Sequence, residues 1–143
     1  MKREEFLKTC GFACLGGSLL AVLLEGCSTS GKTVSGTIEQ ADLVVPVAAF
    51  QHKDGWRKYV VVQHEKLQYP VCVYRFSETE YTALLMRCTH QGAELQVFGS
   101  RLQCPAHGSE FDDKGDVKNG PADTNLRTFP VIEHNQQLYI SLK

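Results

Sequence analysis

Four side chains constrain this sequence more than anything else in it. Cys88 and His90 form a C-x-H pair; thirteen residues later Cys104 and His107 form a C-x-x-H pair. Either half alone is a weak signal. Together they supply two thiolates and two imidazoles, which can converge if two loops lie side by side. Leu95–Val97, a Gly99-Ser100 turn and Arg101–Gln103 between the pairs predict a hairpin that does this. Such a donor set suits zinc or an iron–sulfur centre of mixed ligation. Ligand softness does not choose between them, since both metals accept sulfur and nitrogen. The distribution of ligands is more telling. A zinc finger groups Cys with Cys and His with His, the latter on a helix. Here each loop contributes one of each, which suits two metals, one taking both thiolates and the other both imidazoles.

The surrounding chain reads as short strands. Leu43–Phe50, Tyr59–Val62, Val71–Phe76, Thr82–Cys88, Arg127–Glu133 and Gln137–Leu142 are β-branched or aromatic runs. Asp54-Gly55, Gly99-Ser100 and Asn135-Gln136 fall between them as turns. Pro46 and Pro130 belong at edges or bulges, because neither donates to a ladder. No long segment after Cys27 keeps a helical period, so the fold class is all-β, an antiparallel sandwich or small barrel. Alternation in Val71–Phe76 places Val71, Val73 and Arg75 on one face and Cys72, Tyr74 and Phe76 on the other, making Cys72 a core thiol. Trp56 reads as a packing residue; His52, His64 and His134 read as solvated surface. Fifteen basic against sixteen acidic residues give a net charge of −1. That leaves no basic excess for a nucleic-acid partner.

Cys88-Thr89-His90-Gln91-Gly92-Ala93-Glu94-Leu95 and Cys104-Pro105-Ala106-His107-Gly108-Ser109-Glu110-Phe111-Asp112 resemble the two boxes of the Rieske [2Fe–2S] family. Gly120-Pro121-Ala122 and Leu126 resemble the proline-containing loop that covers its cluster. The resemblance implies a Rieske-like antiparallel domain over residues 41–143 with a two-loop cluster-binding subdomain. It implies one [2Fe–2S] cluster per chain, its inner iron on Cys88 and Cys104 and its outer iron on His90 and His107. Gln91, Gly108, Ser109, Phe111 and Pro121 would surround it. No catalytic residue is identified. The implied function is one-electron transfer between protein partners or from a quinol. A free carrier, a subunit of a quinol-oxidising or molybdenum oxidoreductase and a ferredoxin of an oxygenase system all fit; the rival of a different class is a structural zinc module.

Three departures bear on the potential. Rieske proteins of quinol-oxidising complexes carry a second, disulfide-bridged Cys in each box; the matching positions here are Ala93 and Ala106. Where they place a Tyr two residues after the box Ser, this chain has Phe111, which lacks a hydroxyl. Finally, residues 104–123 hold five acidic side chains against two lysines, and net negative charge favours the oxidised state. A potential in the lower or middle part of the range of about −150 to +300 mV is expected.

The N-terminus reads as an export segment. Lys2, Arg3 and Lys8 precede an apolar stretch, Thr9–Leu24, broken by Gly11, Gly16 and Gly17. At about 1.5 Å per residue it spans roughly 24 Å, short of the roughly 30 Å bilayer core, so residues 1–27 predict a signal helix rather than a span. Leu24-Glu25-Gly26-Cys27 resembles the lipobox of bacterial lipoproteins, with Glu25 in place of a small residue. Cys27 would then be lipidated and hold the protein on the extracytoplasmic side of the cytoplasmic membrane. Lys2–Lys8 resembles a twin-arginine signal whose second arginine is Glu4, which leaves the export route open. Residues 28–40, rich in Ser, Thr and Gly, read as a flexible linker.

Overall fold

A strand that buries both faces must lie between two packed layers, and Val71–Arg75 (β7) is such a strand. Val71 and Val73 enter one hydrophobic core, and Cys72 and Tyr74 enter another. The alternation read from the sequence is therefore correct, and both of its faces are interior. The structure, a computed structural model, describes residues 31–143. The signal segment with Cys27, and linker residues 28–30, lie outside the described residues.

β7 sits at the centre of a five-stranded sheet. Its neighbours are β6 (Tyr59–Gln63) and β8 (Tyr81–Leu85), flanked by β1 (Lys32–Ser35) and β13 (Thr128–Phe129). One face packs on a four-stranded sheet of β14 (Val131–His134), β15 (Gln137–Ser141), β3 (Asp42–Pro46) and β2 (Thr37–Glu39). Leu43, Val45, Val60, Val62, Leu138 and Ile140 are fully buried between them. Each such side chain contributes about 1.5–3 kcal/mol relative to exposure. The opposite face packs on a smaller sheet of β9 (Gln96–Phe98), β10 (Arg101–Gln103), β11 (Glu110–Asp112) and β12 (Val117–Asn119). This is the all-β sandwich with a two-loop subdomain that the sequence predicts; the hairpin between the Cys/His pairs is β9–β10, paired Arg101↔Phe98 to Gln103↔Gln96.

Four readings need correction. Residues 32–39 are not a linker but strands β1 and β2. β1 runs parallel to β6, from Lys32↔Val60 to Ser35↔Gln63, in an otherwise antiparallel fold. Both are held by backbone pairing at sheet edges and bury little side chain, so no apolar period marks them. Gly36 carries the chain from one sheet to the other; a Cβ there would stand 2.6 Å from Leu43 Cδ1 and 2.7 Å from Val62 Cγ1. Leu43–Phe50 is a strand only to Pro46, after which Val47–Phe50 forms a 3-10 turn that buries Val47 and Phe50. Arg127–Glu133 is two strands, β13 and β14, parted at Pro130, and they join different sheets. Trp56, on the β4–β5 hairpin (Gln51–His52 with Gly55–Trp56), is not core packing: it is 50% exposed beneath the Arg75 guanidinium, 3.9 Å from its ring centre.

Candidate metal centre

The two ligand loops leave the small sheet as near copies of each other. In the first, Cys88 N–H donates to Ala93 O (2.8 Å) and Gly92 N–H to Cys88 O (2.9 Å). In the second, Cys104 N–H donates to Ser109 O (2.8 Å) and Gly108 N–H to Cys104 O (3.0 Å). Each loop thus closes through a Gly four residues after its Cys. Gly92 has φ +79° and Gly108 φ +81°, left-handed conformations that favour glycine. The differing spacings, C-x-H and C-x-x-H, hide this equivalence in the sequence.

The donors separate by depth. Cys88 and Cys104 are buried in the second core, hydrogen-bonded thiol to thiol, while His90 and His107 are exposed. The imidazoles meet edge to face with ring centres 5.0 Å apart. Among the described residues no three His, Cys, Asp or Glu side chains gather round a single point; the donors form a sulfur pair behind a nitrogen pair. Burial pushes the Cys104 thiol up, but the N–H groups of His107 and Ala106 and the Cys88 thiol outweigh it and hold Cys104 below its ordinary value. That favours the thiolate, the form that binds metal. Cys72 behaves oppositely. Fully buried and hydrogen-bonded to Tyr74, its thiol is raised far above the ordinary range, as an inert core residue should be. All three cysteines among the described residues are free thiols.

The surrounding residues divide likewise. Ser109 is fully buried, and its Oγ accepts the Ala122 N–H at 3.0 Å, tying the proline loop to the second ligand loop. Its own O–H remains to donate. Phe111, on β11, is fully buried in the second core. Gln91 and Pro121 are exposed at the rim, Pro121 following a cis peptide. His52 and His134 are exposed as predicted, and His64 is half-buried, its Nδ1 accepting the Lys66 N–H. The sequence reading missed three supports. Thr89 Oγ1 donates to Thr124 O at 2.6 Å, Tyr69 O–H to Gly92 O at 2.8 Å, and Asn119 Nδ2 to Gly108 O at 3.4 Å. Thr89 lies inside the first box and was within reach; nothing in spacing or composition marks Tyr69 or Asn119.

Behind the site, the turn after β11 is organised by one carboxylate. Asp112 Oδ1 accepts the N–H groups of Lys114 and Asp116, both at 2.9 Å, and Oδ2 pairs with Lys118 at 2.9 Å. Burial pushes its carboxyl up, but the Lys118 ammonium and the two N–H donors hold it below the usual carboxylate range. A carboxyl with a depressed folded pKa contributes stability above its unfolded pKa of about 3.9 and loses it as pH falls through the lower folded value. Asp112→Ala should therefore cost about 1–2 kcal/mol at pH 7. The cost should shrink as the pH of repeated denaturant titrations falls through that lowered folded value.

Comparison with known proteins decides the family. The model of the Rieske [2Fe-2S] domain matches residues 40–130, which includes both ligand loops and the proline loop. The chain belongs to the Rieske [2Fe-2S] domain family. It is similar to the oxygenase component of dicamba O-demethylase from Stenotrophomonas maltophilia, 36% identical over 84 residues, covering 52% of this chain and 25% of that protein. The chain therefore spans a quarter of that relative's length. Among solved structures it resembles the plasma-membrane Rieske protein PetC3 of Synechocystis PCC 6803, with TM-score 0.51 and 25% identity over 59% of this chain and 86% of that one. It also resembles a ferredoxin of Sphingomonas yanoikuyae B1, with TM-score 0.51 and 27% identity over 68% of this chain and 94% of that one. As a Rieske domain the chain carries one [2Fe–2S] cluster and transfers electrons through it. The donors fit: two buried sulfurs, that of Cys104 backed by the Ala106 and His107 N–H groups, a buried Ser109 hydroxyl, and two imidazoles at the surface.

Proposed function

We propose that this Rieske protein is a one-electron carrier held at the outer face of the cytoplasmic membrane. In this reading Cys88 and Cys104 bind the inner iron, and His90 and His107 the outer one. One observation carries it: the imidazoles stand exposed 5.0 Å apart while both thiols are buried behind them. The cluster supplies reversible uptake of one electron. The protein residues do the rest. The buried thiols and the N–H groups of Ala106 and His107 stabilise the sulfur side, the proline loop fastened to Ser109 shields it, and the imidazole edges meet the partner. Neutral imidazoles in place of two thiolates make the centre less negative, so an added electron meets less repulsion.

The likeness to the ferredoxin and to PetC3 spans 94% and 86% of those chains, which supports a carrier, whereas the likeness to the demethylase component spans a quarter of that protein. The purified holoprotein should show visible absorption, a reduced-state EPR signal and two irons with two labile sulfides per chain. A colourless protein with one zinc would favour the structural-module reading instead. Membrane attachment rests on the lipobox resemblance at Cys27. Cys27→Ala should move the protein from the membrane to the soluble fraction and abolish fatty-acid labelling; retention in the membrane with no label in either form would reject the lipid anchor.

A quinol-oxidising role draws on the same exposed imidazoles and is weakened by Phe111. Phe111→Tyr tests the tuning directly. A new O–H donor that binds the reduced cluster about 1 kcal/mol more tightly than the oxidised raises the midpoint by about 40 mV. Redox titration measures this, and no rise with the cluster intact would refute the hydrogen-bond account. Bleaching or colour change on adding a reduced quinol to the oxidised holoprotein separates quinol oxidation from protein-to-protein transfer.

A further inference from the structure

The two ligand loops share their internal bonds but not their outside support. The second loop is spanned by a ladder: β10 and β11 pair on either side of it, up to Gln103↔Glu110. The first is spanned by an isolated bridge, Arg87↔Glu94, with Leu95 N–H on Met86 O at 3.1 Å, and has no ladder beyond it; Thr89 Oγ1 ties its tip to Thr124 O at 2.6 Å. Identical closure on unequal foundations should leave the first loop looser, yet it carries Cys88 and His90.

Tyr69 stands where the missing support would be. It lies 23 residues from Gly92 in the chain, and its phenolic O–H donates to the Gly92 carbonyl at 2.8 Å. The Arg87 guanidinium lies over the Tyr69 ring, 5.8 Å from its centre. Arg87 also packs on Gly92 itself, where an added Cβ would come within 3.2 Å of Nε. Gly92 is thereby fixed at both ends of its residue: its N–H on Cys88 O and its carbonyl on Tyr69. The equivalent carbonyl of the second loop, Gly108, receives only a 3.4 Å contact from the exposed Asn119 amide.

We propose that Tyr69 is a positioning residue for the first ligand loop: its hydroxyl replaces the ladder that this loop lacks and thereby fixes His90. The proposal rests on the reading that these loops hold the cluster. It assigns Tyr69 no contact with iron or with a partner; it acts through Gly92 alone.

The test compares full-length holoprotein with Tyr69→Phe, which keeps the ring under Arg87, and with Asn119→Ala. Two readouts are used: the rate at which an iron chelator bleaches the cluster, and the histidine nitrogen couplings of the reduced cluster in pulsed EPR. Loss of one such hydrogen bond predicts about fivefold faster bleaching in Tyr69→Phe. One of the two nitrogen couplings should change and the other stay. Asn119→Ala, which loses only the long 3.4 Å contact to the second loop, should bleach less than about twofold faster and keep both couplings. Wild-type bleaching and couplings in Tyr69→Phe would overturn the proposal. So would equal effects in the two variants, since both loops would then be merely loosened. Wild-type protein with a cluster but without histidine nitrogen couplings would instead defeat the ligand assignment, an outcome separate from either.

Discussion

Cys104→Ser should yield a folded protein without its cluster. Serine offers a hard, fully protonated oxygen where the site presents a buried thiol already biased toward thiolate by Ala106 and His107 N–H groups. On the proposed assignment of Cys88 and Cys104 to the inner iron, one missing bond should release both irons, because Cys88 cannot hold that iron alone. The sandwich should survive, for the core between the two larger sheets contains neither ligand cysteine. Iron and labile sulfide should fall from two per chain to near zero, with the visible bands and the reduced EPR signal lost and the β-sheet circular dichroism kept. Cys72→Ala is the matched control: it removes an equally buried thiol from the same core and should retain the cluster. A Cys104→Ser protein with full iron and an unchanged spectrum would remove Cys104 from the ligand set.

Phe111→Ala should cost a large part of the protein's stability. The ring is fully buried in the second core, directly after the second ligand loop, with its β10 partner Leu102 also fully buried. Truncating such a ring costs about 3–5 kcal/mol. That is a large share of the roughly 5–15 kcal/mol that holds an ordinary domain together. Ile132→Ala, at a position 67% exposed, should stay within about 0.5 kcal/mol. Denaturant unfolding of the two variants measures the contrast, and a cost below about 1 kcal/mol at Phe111 would show that the second core can collapse around the gap.

The difference between these positions was only half legible beforehand. Phe111 stands out in the sequence by the hydroxyl it lacks; its burial follows from β11 pairing with β10 on one side and β12 on the other, and neither β11 nor β12 carries a run long enough to read as a strand. β1 and β2 escaped for a related reason. Thr, Ser and Lys dominate them, and their stability comes from backbone bonds to strands already formed. Trp56 misled in the opposite direction: a large aromatic after a turn suggested packing, but the cation over its face lets it stay half in water.

Read as a string, the chain determined its donor chemistry, the two-loop division of that chemistry and the all-β class, because residue identity and period-2 burial are local properties. Which thiols lie deep, which imidazoles reach water, and how each loop is braced were decided only in three dimensions. Tyr69, Thr89 and Asn119 act on loops 23, 35 and 11 residues distant through single hydrogen bonds, and a contact between residues far apart in sequence leaves no periodic trace for either segment to show.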